Sequence, residues 1–280
     1  MTVLEVLQST TAYFKKREIE SPRLNAEHLL AHSLGRKRIE LYLEFERPLA
    51  EAELAPLREL VKRRGQGEPL QHLLGTVEFC GHTFVCDKRA LIPRPETEEL
   101  VELLNAECGV RNAEFRILDV GTGSGVIALS LAAAWPDAEV HALDISKDAL
   151  ALARENAERV GLTERVQFTE SDLMRSVAHV YDLIVANLPY VPSSDRAEVS
   201  REVLRDPADA VFADENGEAV IRRLIATAPP HLKPGGMLAL EIGIGQAERL
   251  MAFLREQNYH DICARQDYAG VTRFLLSRYG

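Results

Sequence analysis

The sequence predicts an α/β protein: a doubly wound, seven-stranded and mostly parallel sheet that ends in an antiparallel hairpin and is preceded by a small helical bundle. Three observations carry this reading. From residue 115 onward, apolar strands alternate with helical stretches. A glycine-rich turn at 121–125 separates the first of those strands from the helix after it. From residue 2 to about 64, apolar residues keep a helical spacing that no strand pattern interrupts. The expected organisation is a helical domain at 1–74, a β-hairpin linker at 75–92 and the sheet domain at 93–280.

The helical part opens with Val3, Val6 and Leu7 on one face. Ser21-Pro22 reads as an N-cap followed by proline at the first helical position, where a missing N–H costs nothing. The helix it starts carries Leu24, Leu29, Leu30 and Leu34 and should stop at Gly35. Another helix is expected from about Glu51, through Leu54, Leu57, Leu60 and Val61, to Gly65. Its last turn, Lys62-Arg63-Arg64, puts cations where a helix dipole favours them, so it reads as a solvated helix end rather than a basic binding patch. Residues 76–79 and 83–86 flank Gly81 with β-branched and aromatic side chains, a hairpin signal. Ile92-Pro93-Arg94-Pro95 then breaks the chain before a helix near Glu96. Strands are expected at 115–119, 138–143, 166–169, 181–186 and 235–242, with 259–266 and 270–277 as the closing hairpin around Gly270.

Of the 280 residues, 46% are hydrophobic, enough to bury a real core, and the net charge is −10. Proteins that grip nucleic acid irrespective of sequence neutralise phosphates with Lys and Arg, so no stable nucleic-acid binding is expected. No apolar run reaches the roughly 18 residues of a membrane span, and Glu5 interrupts the N-terminal segment, which does not read as a signal peptide. The expectation is a cytoplasmic monomer without membrane association. Four cysteines are too few and too scattered for a disulfide framework. Cys80, His82 and Cys86, with His72 nearby, lack the closely paired ligands of zinc sites, so no metal is expected.

The sharpest feature is the run Ile117-Leu118-Asp119-Val120-Gly121-Thr122-Gly123-Ser124-Gly125-Val126-Ile127-Ala128. Strand, glycine turn and helix follow in the order a Rossmann-like fold requires, and glycine lets backbone approach a ligand where a Cβ would intrude. The spacing is G-x-G-x-G, which is wrong for a dinucleotide pyrophosphate. Asp119 stands two residues before the first glycine, and Asp144 ends the next strand, where a carboxylate can accept from both ribose hydroxyls. This pattern points to S-adenosylmethionine held by Gly121, Thr122, Gly123, Ser124, Gly125 and Asp144, with Asp172 after the third strand placed to meet the adenine.

The fourth strand runs directly into Asn187-Leu188-Pro189-Tyr190. Ligands of open α/β sheets sit beyond the carboxyl ends of the strands, so this tetrapeptide should face the cofactor pocket. An amide or aromatic amino nitrogen has a delocalised lone pair and attacks a methyl sulfonium poorly. The Asn187 side-chain oxygen and the Leu188 carbonyl can each accept one N–H of such an NH₂ group and aim its nitrogen. Pro189 would fix the loop shape and Tyr190 would pack on the planar target. Asn187 to Tyr190 are therefore the expected substrate-binding residues, with Asn187, Pro189 and Tyr190 catalytic; Asn187 also borders the cofactor.

At these residues the chain resembles the release factor glutamine methyltransferases, class I S-adenosylmethionine-dependent enzymes that modify a glutamine in class I peptide chain release factors. The resemblance spans nearly the whole chain. It includes Ser21-Pro22-Arg23-Leu24, Glu68-Pro69-Leu70-Gln71 and Phe79-Cys80-Gly81-His82-Thr83-Phe84. Its most specific stretch is Leu91-Ile92-Pro93-Arg94-Pro95-Glu96-Thr97-Glu98; Lys233-Pro234-Gly235-Gly236 and Glu241-Ile242-Gly243-Ile244-Gly245-Gln246 complete it. The resemblance implies that the helical domain helps recognise the release factor and that the tetrapeptide binds the glutamine amide. Leu188 stands where the family has proline, Leu173 where an aromatic residue often lies beside the adenine, Asp206-Pro207 where Glu-Pro is usual, and Asn216-Gly217 where the turn is more glycine-rich.

Asn-Leu-Pro-Tyr is also similar to the tetrapeptide of the ribosomal RNA adenine dimethyltransferases. Those enzymes would be expected to begin with the catalytic domain and to carry a basic surface. N-methylation of another protein or of a small molecule, and a non-catalytic binding protein that keeps the fold, are further readings. The stretch from Ile92 to Thr97 fits none of them.

Overall fold

The computed structural model describes residues 1–108 and 114–280. It divides into two compact units: Met1–Thr76 with Ser200–Arg205, and Val77–Val199 with Asp206–Gly280.

The first unit is helical: α1 (Val3–Lys15), α2 (Pro22–Leu34), α3 (Arg38–Leu43), α4 (Glu51–Gly65) and α5 (Leu70–Leu74). Their core gathers Val3, Phe14, Leu29, Leu30, Leu41 and Leu57. A reciprocal cap starts α1: the Glu5 N–H donates to the Thr2 hydroxyl (3.3 Å) and the Thr2 N–H to the Glu5 carboxylate (2.9 Å). Pro22 and Gly35 bound α2, the glycine in the left-handed conformation (φ 62°). Ser21 corrects the expectation. It too is left-handed (φ 46°), and its side chain caps nothing; Asn25 instead donates from Nδ2 to the Glu20 and Ser21 carbonyls. The reading of 62–64 as a solvated end also fails at Arg64, which is only 2% exposed. Its guanidinium donates to Asn25 Oδ1 (2.7 Å), the Glu68 carbonyl (3.1 Å) and Glu202 Oε1 (2.5 Å), partners that replace the water it gives up on burial.

The second unit begins at Val77, within the hairpin of β1 (Thr76–Phe79) and β2 (His82–Val85), which turns through Cys80 and Gly81, both at positive φ. Helix α6 (Pro95–Glu107) follows. Then come β3 (Arg116–Val120), α7 (Val126–Ala134), β4 (Glu139–Asp144), α8 (Lys147–Arg159), β5 (Val166–Glu170) and β6 (Tyr181–Asn187). The short elements β7 (Val191–Pro192), α9 (Ala208–Val211), β8 (Phe212–Ala213) and α10 (Asp214–Gly217) lead to α11 (Ala219–Thr227). The unit closes with β9 (Leu232–Glu241), α12 (Ala247–Glu256), β10 (Tyr259–Gln266) and β11 (Thr272–Tyr279).

The seven-stranded sheet has the order β10-β11-β9-β6-β3-β4-β5. β3, β4, β5, β6 and β9 are mutually parallel, and β11 and β10 pair antiparallel at one edge. Because strand side chains alternate, each strand feeds two cores. Ile117, Leu183 and Ala239 face a cluster with Leu104, Leu129 and Trp135, while Leu118, Ile184 and Leu238 face one with Leu224 and Leu254. The chain leaves β3 toward β4 and β5 but returns through β6 on the other side. The crevice beyond the carboxyl ends of β3 and β6 is therefore the topological switch point where such sheets bind ligands. No helix among the described residues is long and apolar enough to cross a membrane.

Candidate active site

The glycine loop leaves β3 at this switch point. Gly121, Gly123 and Gly125 have φ of 73°, 56° and 84°, a region that side chains with a Cβ avoid. Gly121 is further constrained because a Cβ there would come 2.7 Å from Leu188 Cδ2. The Gly121 and Thr122 N–H groups both donate to the Leu143 carbonyl (2.8 Å each), so the loop is pinned to the end of β4. Asn156 of α8, fully buried, donates from Nδ2 to the Ser124 carbonyl (2.9 Å) and to the Val85 carbonyl (3.2 Å) and accepts the Val85 N–H (2.7 Å). One amide thus ties loop and hairpin together.

Both acidic residues help to shape the loop. Asp119 Oδ2 accepts the Thr122 hydroxyl (2.6 Å) and the Ala128 N–H (3.1 Å). Complete burial raises its carboxyl to about 7, an effect that these two hydrogen bonds only partly offset. Asp144 Oδ2 accepts the Gly123 N–H and Oδ1 the Ser146 N–H, each at 2.8 Å. Its carboxyl is also raised, by burial, against those backbone donors.

The tetrapeptide after β6 lies beside this loop: Val120 and Ala186 are partners in the sheet, and Leu188 touches Gly121. Asn187 donates from Nδ2 to Thr97 Oγ1 (3.0 Å), and Thr97 donates to Glu241 Oε2 (2.8 Å). Asn187 Oδ1 is buried without a hydrogen-bond partner among the described residues. The Tyr190 hydroxyl donates to Glu241 Oε1 (3.4 Å). Burial above all, with Glu96 nearby, raises the Glu241 carboxyl to about 7, and burial pushes the Tyr190 phenol up as well. Gln246 Nε2 donates to the carbonyls of Tyr190 (3.0 Å) and Asn216 (3.1 Å), while its Oε1 accepts the Gly243 N–H (2.8 Å). A Cβ at Gly217 would stand 2.0 Å from the Tyr190 carbonyl oxygen. The two glycine-containing turns at 216–217 and 243–245 therefore hold the tetrapeptide in place.

The structure thus brings together Gly121 to Gly125, Asp144 and Asn187 to Tyr190. Leu173, at φ 50°, shares an apolar cluster with Val120, Leu143 and Leu188. Asp172 follows β5 and is paired with Arg223 through both carboxylate oxygens (2.9 and 2.8 Å). In the sequence Thr97 and Glu241 belong only to resembling stretches, and nothing local ties them to Asn187. Cys80 and Cys86 are raised by burial to about 11 and about 12; among the described residues no cluster of His, Cys, Asp and Glu is arranged to hold a metal.

A glycine cradle at the switch point, an acid ending the neighbouring strand and a buried acceptor without a partner fit S-adenosylmethionine and an NH₂-bearing target. Fold and loops together define a class I S-adenosylmethionine-dependent methyltransferase. Residues 5–75 match the PrmC N-terminal domain model and residues 95–218 the methyltransferase small domain model. Release factor glutamine methyltransferases from Chlorobaculum tepidum and Deinococcus radiodurans are 39% and 42% identical to this chain; the alignments cover 98% of it and 96% of the first relative, and 99% of it and 99% of the second. Among solved structures, human methyltransferase 10 domain containing protein is similar in fold, with a TM-score of 0.53 at 16% identity over 71% of this chain and 89% of the other. The chain belongs to the release factor glutamine methyltransferase family.

Proposed function

We propose that this chain transfers the methyl group of S-adenosylmethionine to the side-chain amide nitrogen of a glutamine in a class I peptide chain release factor. The observation that carries the proposal is Asn187 Oδ1, a buried acceptor without a partner among the described residues, beside a loop of positive-φ glycines. Such an atom costs free energy unless something donates to it, and an amide NH₂ is a donor of the right kind.

When bound, S-adenosylmethionine supplies a methyl group on a positively charged sulfur. Gly121 to Gly125 would admit it close to backbone, and Asp144 would accept from its ribose, with Asp172 and Leu173 toward the adenine. Asn187 Oδ1 and the Leu188 carbonyl would each accept one N–H of the glutamine amide. Holding both protons fixes the nitrogen's direction and raises its electron density, so the chain works by orientation and electrostatic placement; the N–CH₃ bond forms as the S–CH₃ bond breaks with its electron pair left on sulfur, and one amide proton then leaves to solvent. The Leu188 role uses a backbone atom, which leucine provides as proline does. Pro189 would stiffen the loop and Tyr190 would flank the amide plane. The helical unit would contribute to release factor recognition, with the protein acting as a cytoplasmic monomer.

Asn187→Ala tests the assignment. With labelled S-adenosylmethionine and purified release factor, transfer should fall by at least about a hundredfold, the scale of losing one transition-state hydrogen bond. Cofactor affinity measured by calorimetry should stay within a few-fold. Equal loss of both would show that Asn187 serves the cofactor instead.

A further inference from the structure

Two stretches singled out in the sequence have no part in the chemistry above: the one ending Glu96-Thr97-Glu98 and the one beginning Glu241-Ile242-Gly243. They meet beneath Asn187. We propose that Thr97 and Glu241 are positioning residues that fix which way the Asn187 amide faces, turning its oxygen rather than its nitrogen toward the substrate. This rests on the reading of Asn187 as the acceptor for the glutamine NH₂.

The count of donor protons decides the orientation. An amide side chain is nearly symmetric in shape, and its two ends differ only in what they bond to. Once ionised, the Glu241 carboxylate can only accept, and the hydroxyl proton of Thr97 is then committed to Glu241 Oε2 (2.8 Å). With its proton used, Thr97 Oγ1 offers Asn187 only a lone pair, and the Asn187 Nδ2 end binds there (3.0 Å). Oδ1 is left over, buried and without a partner among the described residues. A flipped amide would set oxygen against oxygen at Thr97 and present N–H groups to the N–H groups of the substrate, two repulsive pairings at once. All three residues are at least partly buried, Thr97 and Glu241 at 3% and 1% exposure, so water cannot readily replace either partner. Glu241 also accepts the Tyr190 hydroxyl, and the same carboxylate therefore reaches both ends of the tetrapeptide.

The test compares kcat and KM for a class I release factor in Thr97→Val, Thr97→Ser, Glu241→Gln and Asn187→Ala, at about pH 8.5, where the Glu241 carboxyl is ionised. Thr97→Val keeps the shape and removes the relay; kcat should fall at least about tenfold, since what is lost is alignment in the transition state. Affinity for S-adenosylhomocysteine and the melting temperature should stay near those of the parent. Thr97→Ser restores the hydroxyl and should return kcat to within about threefold. Glu241→Gln can donate to Thr97 and so reverse the relay; it should lose kcat as Thr97→Val does, and it supplies the reading if the valine variant does not fold. Parent-like kcat in Thr97→Val, or in Glu241→Gln, while Asn187→Ala is inactive would overturn the orientation role alone. An active Asn187→Ala would overturn the assignment of Asn187, and this inference with it.

Discussion

At the residue scale, the glycine loop depends on one fully buried acid, Asp119, and one half-buried acid, Asp144, whose carboxyls are raised for the same reason, loss of water. Asp144→Ala should weaken S-adenosylmethionine binding by about 1.5–3 kcal/mol, as expected for hydrogen bonds to a charged group; calorimetry that finds unchanged affinity would refute the contact. Asp119 offers a test by pH. Its carboxyl lies at about 7 in the fold against 3.8 for the free side chain. A raised value means that the folded chain holds the proton more tightly than the unfolded chain. Its contribution to stability is thus complete below about pH 4 and is lost as pH rises toward 7, at about 1.4 kcal/mol per unit. Asp119→Asn keeps an acceptor for Thr122 and Ala128 but does not titrate. In urea unfolding of the ligand-free protein, the parent should lose on the order of 3–4 kcal/mol more stability than the variant across that interval. Parallel pH curves would contradict it. Asp119 could be singled out from its place before Gly121, but its partners Thr122 and Ala128 could not, because helix-end hydrogen bonds leave little trace in residue type.

At the scale of elements, the strands and long helices were legible because their periodicities extend over many residues. Pro22 and Gly35 marked α2 through backbone constraints, and the run 117–128 marked β3, the loop and α7. The short helices α3 and α5 were not legible, since one or two turns give no period to read. A basic last turn looks the same in sequence whether its cations face water or, like Arg64, a buried Asn25 and a half-buried Glu202. The glycine turns that brace the tetrapeptide belong to this scale. Gly217→Ala adds a Cβ that would overlap the Tyr190 carbonyl, at a position whose φ is 80°. It should cut methyl transfer at least about tenfold and destabilise the fold by about 1–3 kcal/mol, while cofactor affinity changes little. Loss of cofactor affinity in step with activity would show that the turn supports the glycine loop instead.

For the molecule as a whole, the site is made where the order of parallel strands reverses between β3 and β6, and residues from stretches far apart in sequence converge there. Gly121 and Asn187 announced themselves by position after strands. Thr97 and Glu241 lie far from Asn187 in sequence and resemble an ordinary helix start and an ordinary strand end, so only folding brings them to Asn187. The net charge of −10 sets a further expectation. An enzyme held to RNA by many phosphate contacts loses roughly 10³-fold or more in affinity between 50 and 200 mM salt. Methylation of a release factor by this chain should change its kcat/KM by less than about tenfold over that range, and a steep loss would point to a nucleic-acid substrate. Everything above converges on one atom, the one that receives the methyl group. Its identity is tested most directly by offering class I release factor and ribosomal RNA side by side with labelled S-adenosylmethionine and mapping the label by mass spectrometry. The expected result is one methyl group on the side-chain amide of a release factor glutamine, absent with Asn187→Ala. Label on an adenine of the RNA, or on neither substrate, would contradict it.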